Sequence, residues 1–174
     1  PLSISNIVSM SGIRRSGKTY LLLSLAKKLL ERLPRDNVIY INFEHELLRN
    51  LDARDLRDLI EAWSEMFSYE KKLPLYLLLD EIQLVKDWEK WVRRVYDQKR
   101  FRIYITGSTS KISPKEIAYG LRGRTINFTV YPFSFREFLK ARGMEIERGF
   151  YLEERRGRLF RLLKEYLEFG GFPE

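Results

Sequence analysis

The chain has 174 residues, 44% of them hydrophobic, which is enough for the core of one α/β domain. It contains no cysteine and one histidine, His45, which excludes disulfides, iron–sulfur clusters, cysteine nucleophiles, His-based triads and zinc clusters; any metal would be Mg²⁺ on oxygen ligands. The 32 Lys and Arg against 24 Asp and Glu leave a net charge of +8 that permits DNA contact, and with no apolar run near the roughly 18 residues that span a bilayer, a soluble, cytoplasmic chain without a membrane partner is expected.

In chain order, Ile7 to Met10 is a short apolar run that reads as a strand. It leads into GIRRSGKT, Gly12 to Thr19, which fits the phosphate-loop pattern G-x-x-x-x-G-K-[ST] at every fixed position. Gly12 and Gly17 allow turns that a β-carbon would obstruct and let backbone amides approach an anion. Lys18 would reach the β- and γ-phosphates, and the Thr19 hydroxyl would hold Mg²⁺. Leu22, Leu25, Ala26 and Leu29 recur at spacings of three and four, so a helix follows whose positive N-terminus opens onto the loop. The expected nucleotide cradle is therefore Gly12, Ile13, Arg14, Arg15, Ser16, Gly17, Lys18, Thr19 and Tyr20.

Pro34 to Asn37 breaks that helix, and Val38 to Phe43 reads as a buried second strand. Glu44, just beyond it, is either a site residue or an exposed loop acid. Leu51 to Phe67 places Leu56, Leu59, Ile60, Trp63 and Phe67 at helical spacing, with Asp52 and Asp55 suited to the first turn. Leu75 to Glu81, LYLLLDE, is an apolar run ending in two acids, the Walker B arrangement. Such a strand carries Asp80 to the sheet edge to orient water on Mg²⁺ and places Glu81 as the general base for an attacking water. Many buried strands end in an acid, and the pattern gains its meaning from the phosphate loop before it.

Asp87 to Lys99 reads as a helix with Trp88, Trp91, Val92 and Val95 on one side. Phe101 to Ser108 reads as a fourth strand ending in small polar residues, so that Ser108 or Thr109 would lie beside the γ-phosphate and the water. Ser113-Pro114-Lys115-Glu116 has the form of a capping box and opens a short helix that runs out at Leu121 to Arg124. Thr125 to Tyr131 alternates as a fifth strand, stopped by Pro132. Ser134 to Glu137 is a second capping box, opening a helix from Phe135 to Arg142 that Gly143 closes. A basic amphipathic helix from Tyr151 to Phe169 precedes the break at Gly170-Gly171-Phe172-Pro173.

The assembled order resembles the AAA+ branch of P-loop ATPases, and more closely the archaeal and bacterial AAA-like ATPases related to origin-recognition ATPases and signal-transduction NTPases. The residues that carry the resemblance are GIRRSGKT at Gly12, LLLDEIQ at Leu77, ITGSTS at Ile105, LRGR at Leu121, YPFSFREF at Tyr131 and FGGFPE at Phe169. It implies an α/β fold, the P-loop NTPase three-layer αβα sandwich, around a five-stranded parallel sheet in the order 5-1-4-3-2. It also implies ATP or ADP with Mg²⁺ as cofactors, Thr19 and Asp80 at the metal, and catalytic roles for Glu81, Lys18, Ser108 as sensor 1 and Arg124 as a finger reaching a neighbouring subunit. Arg122 is the second choice for the finger, and a structural salt bridge is an equal reading for either arginine. Residues 1–174 are expected to form a single ATPase core without most of the helical lid and output domains that accompany such cores.

Two functions are consistent with this. One is a Mg²⁺-dependent ATPase whose hydrolysis drives conformational change or assembly, slow in the isolated chain if an arginine acts in trans. The other is a nucleotide-gated signalling switch that binds ATP or ADP tightly and hydrolyses it rarely. A small-molecule kinase would carry an Arg-rich lid segment before the second strand, and a GTPase an Asn/Thr-Lys-x-Asp segment; neither stands in the sequence.

Overall fold

A computed structural model of the chain describes residues 6–48, 50–108, 117, 119–144 and 153–173. Its main elements are β1 (Ile7–Gly12), α1 (Lys18–Leu30), β2 (Val38–Asn42), α2 (Ala53–Met66), β3 (Leu75–Asp80), α3 (Trp88–Asp97), β4 (Phe101–Ser108), β5 (Thr125–Thr129), α4 (Phe135–Ala141) and α5 (Glu153–Phe169). The five strands are all parallel and lie in the order β2-β3-β4-β1-β5, which is the expected order read from the other edge.

Strand side chains alternate between the two faces of a sheet, and in this chain the alternation decides both the core and the site. On one face Ile7, Ile39, Ile41, Leu75, Leu77, Leu79, Ile103 and Ile105 pack against Leu56 of α2 and Trp88, Trp91, Val92 and Val95 of α3. On the other face Val8, Met10, Tyr76, Leu78 and Tyr104 pack against Leu22, Ala26 and Leu29 of α1, with Tyr40 partly buried beside them. Helices on both faces of the sheet give the three layers. Leu77 and Leu79 are fully buried, each contributing about 1.5–3 kcal/mol on burial. By the same alternation, Tyr40 of β2, Asp80 of β3, and Thr106 and Ser108 of β4 fall on the α1 face, where the helix that begins with Lys18 lies.

Most element boundaries fall within a residue or two of expectation. Asp52 does not sit inside the first turn of α2 but caps it, in a capping box completed by Asp55. Asp87 likewise precedes its helix, in the left-handed region at φ 58°. β5 ends at Thr129 rather than Tyr131, although Val130 still donates to the Ser11 carbonyl at 2.7 Å. The expected capping box at Ser113 to Glu116, Thr109, and Tyr151 and Leu152, where the last helix is expected to begin, lie outside the described residues.

A third, smaller core joins α4 to α5 through Phe138, Leu139, Met144 and Leu162, with Phe133, Phe135 and Tyr166 against it. The chain after α5 returns to this unit: Phe133 N donates to the Gly171 carbonyl at 2.6 Å, and the Tyr166 hydroxyl to the Phe133 carbonyl at 2.8 Å. Gly171 is required by this approach, since a β-carbon there would lie 2.0 Å from the Phe133 oxygen.

Candidate functional site

β1 delivers the loop at its C-terminal end, where Gly12 leaves the sheet under a tight roof. A β-carbon at Gly12 would lie 2.3 Å from the Val130 oxygen and 2.8 Å from Ser16 Oγ, so only glycine fits. Gly17 then caps α1 in the left-handed region, with no side chain bonded to the helix's first amides. Those amides, together with the helix dipole, face the loop. Ser16 is 4% exposed, and its hydroxyl has no partner among the described residues. A buried hydroxyl awaiting a partner, uncapped amides and a cradle that a side chain would fill form a donor set that fits a polyphosphate.

Lys18 is the cation of this cradle. It is 5% exposed, donates through Nζ to the Ile13 carbonyl at 3.0 Å, and stands 3.7 Å from Oε1 of Glu81, itself 12% exposed. Thr19 and Tyr20 are exposed, and with Arg14, Arg15, Glu44 and Glu81 they line the cleft.

The acids at the tip of β3 are held from several directions. Asp80 is 1% exposed; Thr106 Oγ1 donates to its Oδ1 and the Tyr40 hydroxyl to its Oδ2 at 3.0 Å. Burial first, and then the Asp80 charge, raise the Tyr40 pKa well above the usual tyrosine value, so the phenol remains a donor. Glu81 adopts the left-handed region at φ 53°, its N–H bonded to Thr106 Oγ1 at 2.9 Å and its carboxylate accepting from Gln83 Nε2. A non-glycine residue in that region costs of order 1–3 kcal/mol and persists where its surroundings over-determine it, as these bonds do. Ser108 ends β4 directly beside Gly12, its register partner on β1, and is buried.

The fold therefore gathers Gly12 to Tyr20, Asp80, Glu81 and Ser108 at one edge of the sheet. It does not gather Arg124. β5 runs parallel to β1, and Arg124 precedes β5, at the end opposite the loop and roughly 17 Å of strand away; there it pairs with Asp97 at 3.5 Å and lies 5.8 Å from the Tyr96 ring centroid. Arg122 is exposed at the same end. Sequence reasoning missed Tyr40, Thr106 and Gln83. Tyr40 and Thr106 share the strand parity of Asp80's face, but their meeting depends on β2 and β4 flanking β3, which no local pattern states. Residues 131–134, Tyr166, Phe172 and Pro173 form the far wall of a cleft of about 1930 Å³, and Pro173 comes to 3.5 Å from where a Gly17 β-carbon would stand.

The sequence pattern of the AAA domain family matches residues 5–139, which hold every strand and the whole loop. This chain belongs to the AAA domain family. An uncharacterized Methanocaldococcus jannaschii protein, MJ1544, is 40% identical to this AAA domain over 163 residues, covering 94% of the chain and 34% of that protein. An uncharacterized Haemophilus influenzae protein is 36% identical over 167 residues, covering 94% of the chain and 38% of that protein. The chain thus spans little more than a third of the length of these curated relatives. Among solved structures, AMPPCP-bound DnaA from Aquifex aeolicus is similar at 18% identity and a TM-score of 0.49, covering 97% of this chain and 55% of that one.

Proposed function

We propose that this AAA domain binds ATP with Mg²⁺ and hydrolyses it, and that turnover drives conformational change or assembly of a longer protein in the cytoplasm, with DNA a candidate object of that work. No helix among the described residues is long and apolar enough to cross a membrane. The observation that supports the reading most is the approach of Lys18 to Glu81 at 3.7 Å, a cation of the loop beside an acid able to act as a base.

Lys18 and the amides at the start of α1 hold the phosphates, and the Ser16 hydroxyl supplies one more donor. Thr19 and Asp80 are the residues for Mg²⁺, which when bound neutralises charge on the phosphate oxygens. Phosphates give Lys18 a stronger partner than the Ile13 carbonyl and leave Glu81 to accept a proton from water, oriented by Gln83 and by the hydrogen bond its backbone N–H donates to Thr106 Oγ1. Ser108, next to Gly12, would be the sensor residue toward the same phosphates. Arg124 can serve only a nucleotide on a second copy, and its ion pair with Asp97 must open first. In that case kcat rises with protein concentration.

Single-turnover hydrolysis by wild type and Glu81→Gln tests the reading. The variant is expected to retain nucleotide affinity and to lose about 10²- to 10⁴-fold in rate. An unchanged rate would remove Glu81 as the base. The approach of Pro173, whose Cγ lies 3.5 Å from where a Gly17 β-carbon would stand, favours the second reading, a nucleotide-gated switch, because a segment this near the loop can report occupancy. Tight nucleotide binding without turnover in the wild type selects that reading.

A further inference from the structure

The two acids at the tip of β3 are supported differently. Glu81 faces the cleft, whereas Asp80 is buried and both of its oxygens are already engaged, Oδ1 by Thr106 and Oδ2 by Tyr40 at 3.0 Å. An ionised carboxylate can accept about four hydrogen bonds, so two sites remain, in directions fixed by the two already taken. Thr106 and Tyr40 come from the strands on either side of β3, so the carboxylate is braced across three strands. The brace from β2 is made by one atom, the Tyr40 hydroxyl, whose ring packs on the α1 face beside Tyr76 and Leu78.

We propose that Tyr40 is a positioning residue for Asp80: its hydroxyl fixes the carboxylate as an acceptor for the water shell of a bound Mg²⁺ and thereby sets how strongly nucleotide binding depends on the metal. This rests on the Mg²⁺-nucleotide reading of the site. Mg²⁺ dehydrates reluctantly and keeps several waters, so an acid that serves it through water must be held by partners of its own. Removing such an outer partner typically costs about 10- to 100-fold in metal affinity or activity.

The test uses the 174-residue chain as wild type and Tyr40→Phe, which keeps the ring and its packing. A fluorescent ATP analogue is titrated in excess Mg²⁺ and in EDTA, and Mg²⁺ is titrated at fixed analogue; thermal melting without ligand is read in parallel. The expected result is a Mg²⁺ midpoint shifted upward about 10- to 100-fold in the variant, with unchanged affinity in EDTA. Equal midpoints overturn the proposal, as does an equal loss of affinity in both media accompanied by a lower melting temperature, which would make Tyr40 merely structural. A wild type whose binding ignores Mg²⁺ overturns the reading of the site along with it, so the two failures are told apart by the wild type alone.

Discussion

The two walls of the cleft are built on different principles. The loop and acid wall rises from the three central strands; Ser16, Lys18, Asp80 and Ser108 are buried in it, and its geometry is fixed by β1, β3 and β4 lying side by side. The far wall is a separate small core, α4 against α5, with Tyr131 and Phe172 partly or largely exposed and its link to the sheet running through the chain after β5. Each wall contains a glycine that a β-carbon would drive into a carbonyl oxygen, Gly12 against Val130 and Gly171 against Phe133. The difference teaches a division of labour: the sheet edge holds the groups that would act on phosphate, and the far wall is an attached part that approaches the loop through Pro173.

The sharpest way to test this division is Gly12→Ala. The Val130 oxygen is backbone and cannot swing aside, so the loop or β5 must shift. Overpacking of this kind costs about 1–3 kcal/mol. If that cost falls on the loop, nucleotide affinity drops roughly 10- to 100-fold. Binding of a fluorescent ATP analogue, with melting temperature as a check on folding, reads the effect. Unchanged affinity with a lowered melting temperature would put the shift in β5, and a loss of nucleotide binding would put it in the loop.

The loop wall was largely legible in the sequence because its determinants are local. A phosphate-loop pattern, two apolar runs ending in polar residues and period-two alternation were enough to bring Gly12, Lys18, Asp80 and Ser108 to one edge. The partners of the acids were not read, because Tyr40 and Asp80 are 40 residues apart and the expected strand order sets β2 beside β3 without fixing the register that brings the phenol to the carboxylate. The far wall was the least legible part. α4 was readable from its capping box and α5 from its amphipathic spacing, but the closure of Gly171 on Phe133 spans two helices and depends on a backbone approach that no side-chain pattern encodes. A finger role for Arg124 would need a second copy, and the single chain shows its ion pair with Asp97.

Gly171→Ala is the corresponding break on the far wall. The Phe133 to Gly171 hydrogen bond opens, and the segment carrying Phe172 and Pro173 leaves the loop, again at about 1–3 kcal/mol. Nucleotide affinity is expected to fall by tenfold or less, while the single-turnover rate at saturating nucleotide stays at the wild-type value. A fall in that rate comparable to Glu81→Gln would erase the division, since the far wall would then belong to the chemistry.

The smallest expected effect lies at the start of α4. Ser134 Oγ and N donate to Glu137 Oε2 at 2.7 and 2.8 Å, and these bonds lower the Glu137 pKa below the usual carboxylate value. A carboxylate whose pKa is lower folded than unfolded stabilises the fold above its unfolded value, about 4.3, and that contribution is lost as pH falls through the lower, folded value. Ser134→Ala removes the side-chain cap of α4 and is expected to lower Tm by about 2–4 °C at neutral pH, and the difference from wild type should shrink as the pH is taken below about 4. Ser134 and Glu137 line the cleft on its far side, so hydrolysis at saturating nucleotide should be unaffected. A variant that melts like wild type yet hydrolyses more slowly would place this capping box in the catalytic wall, and the boundary between the two walls would have to be moved.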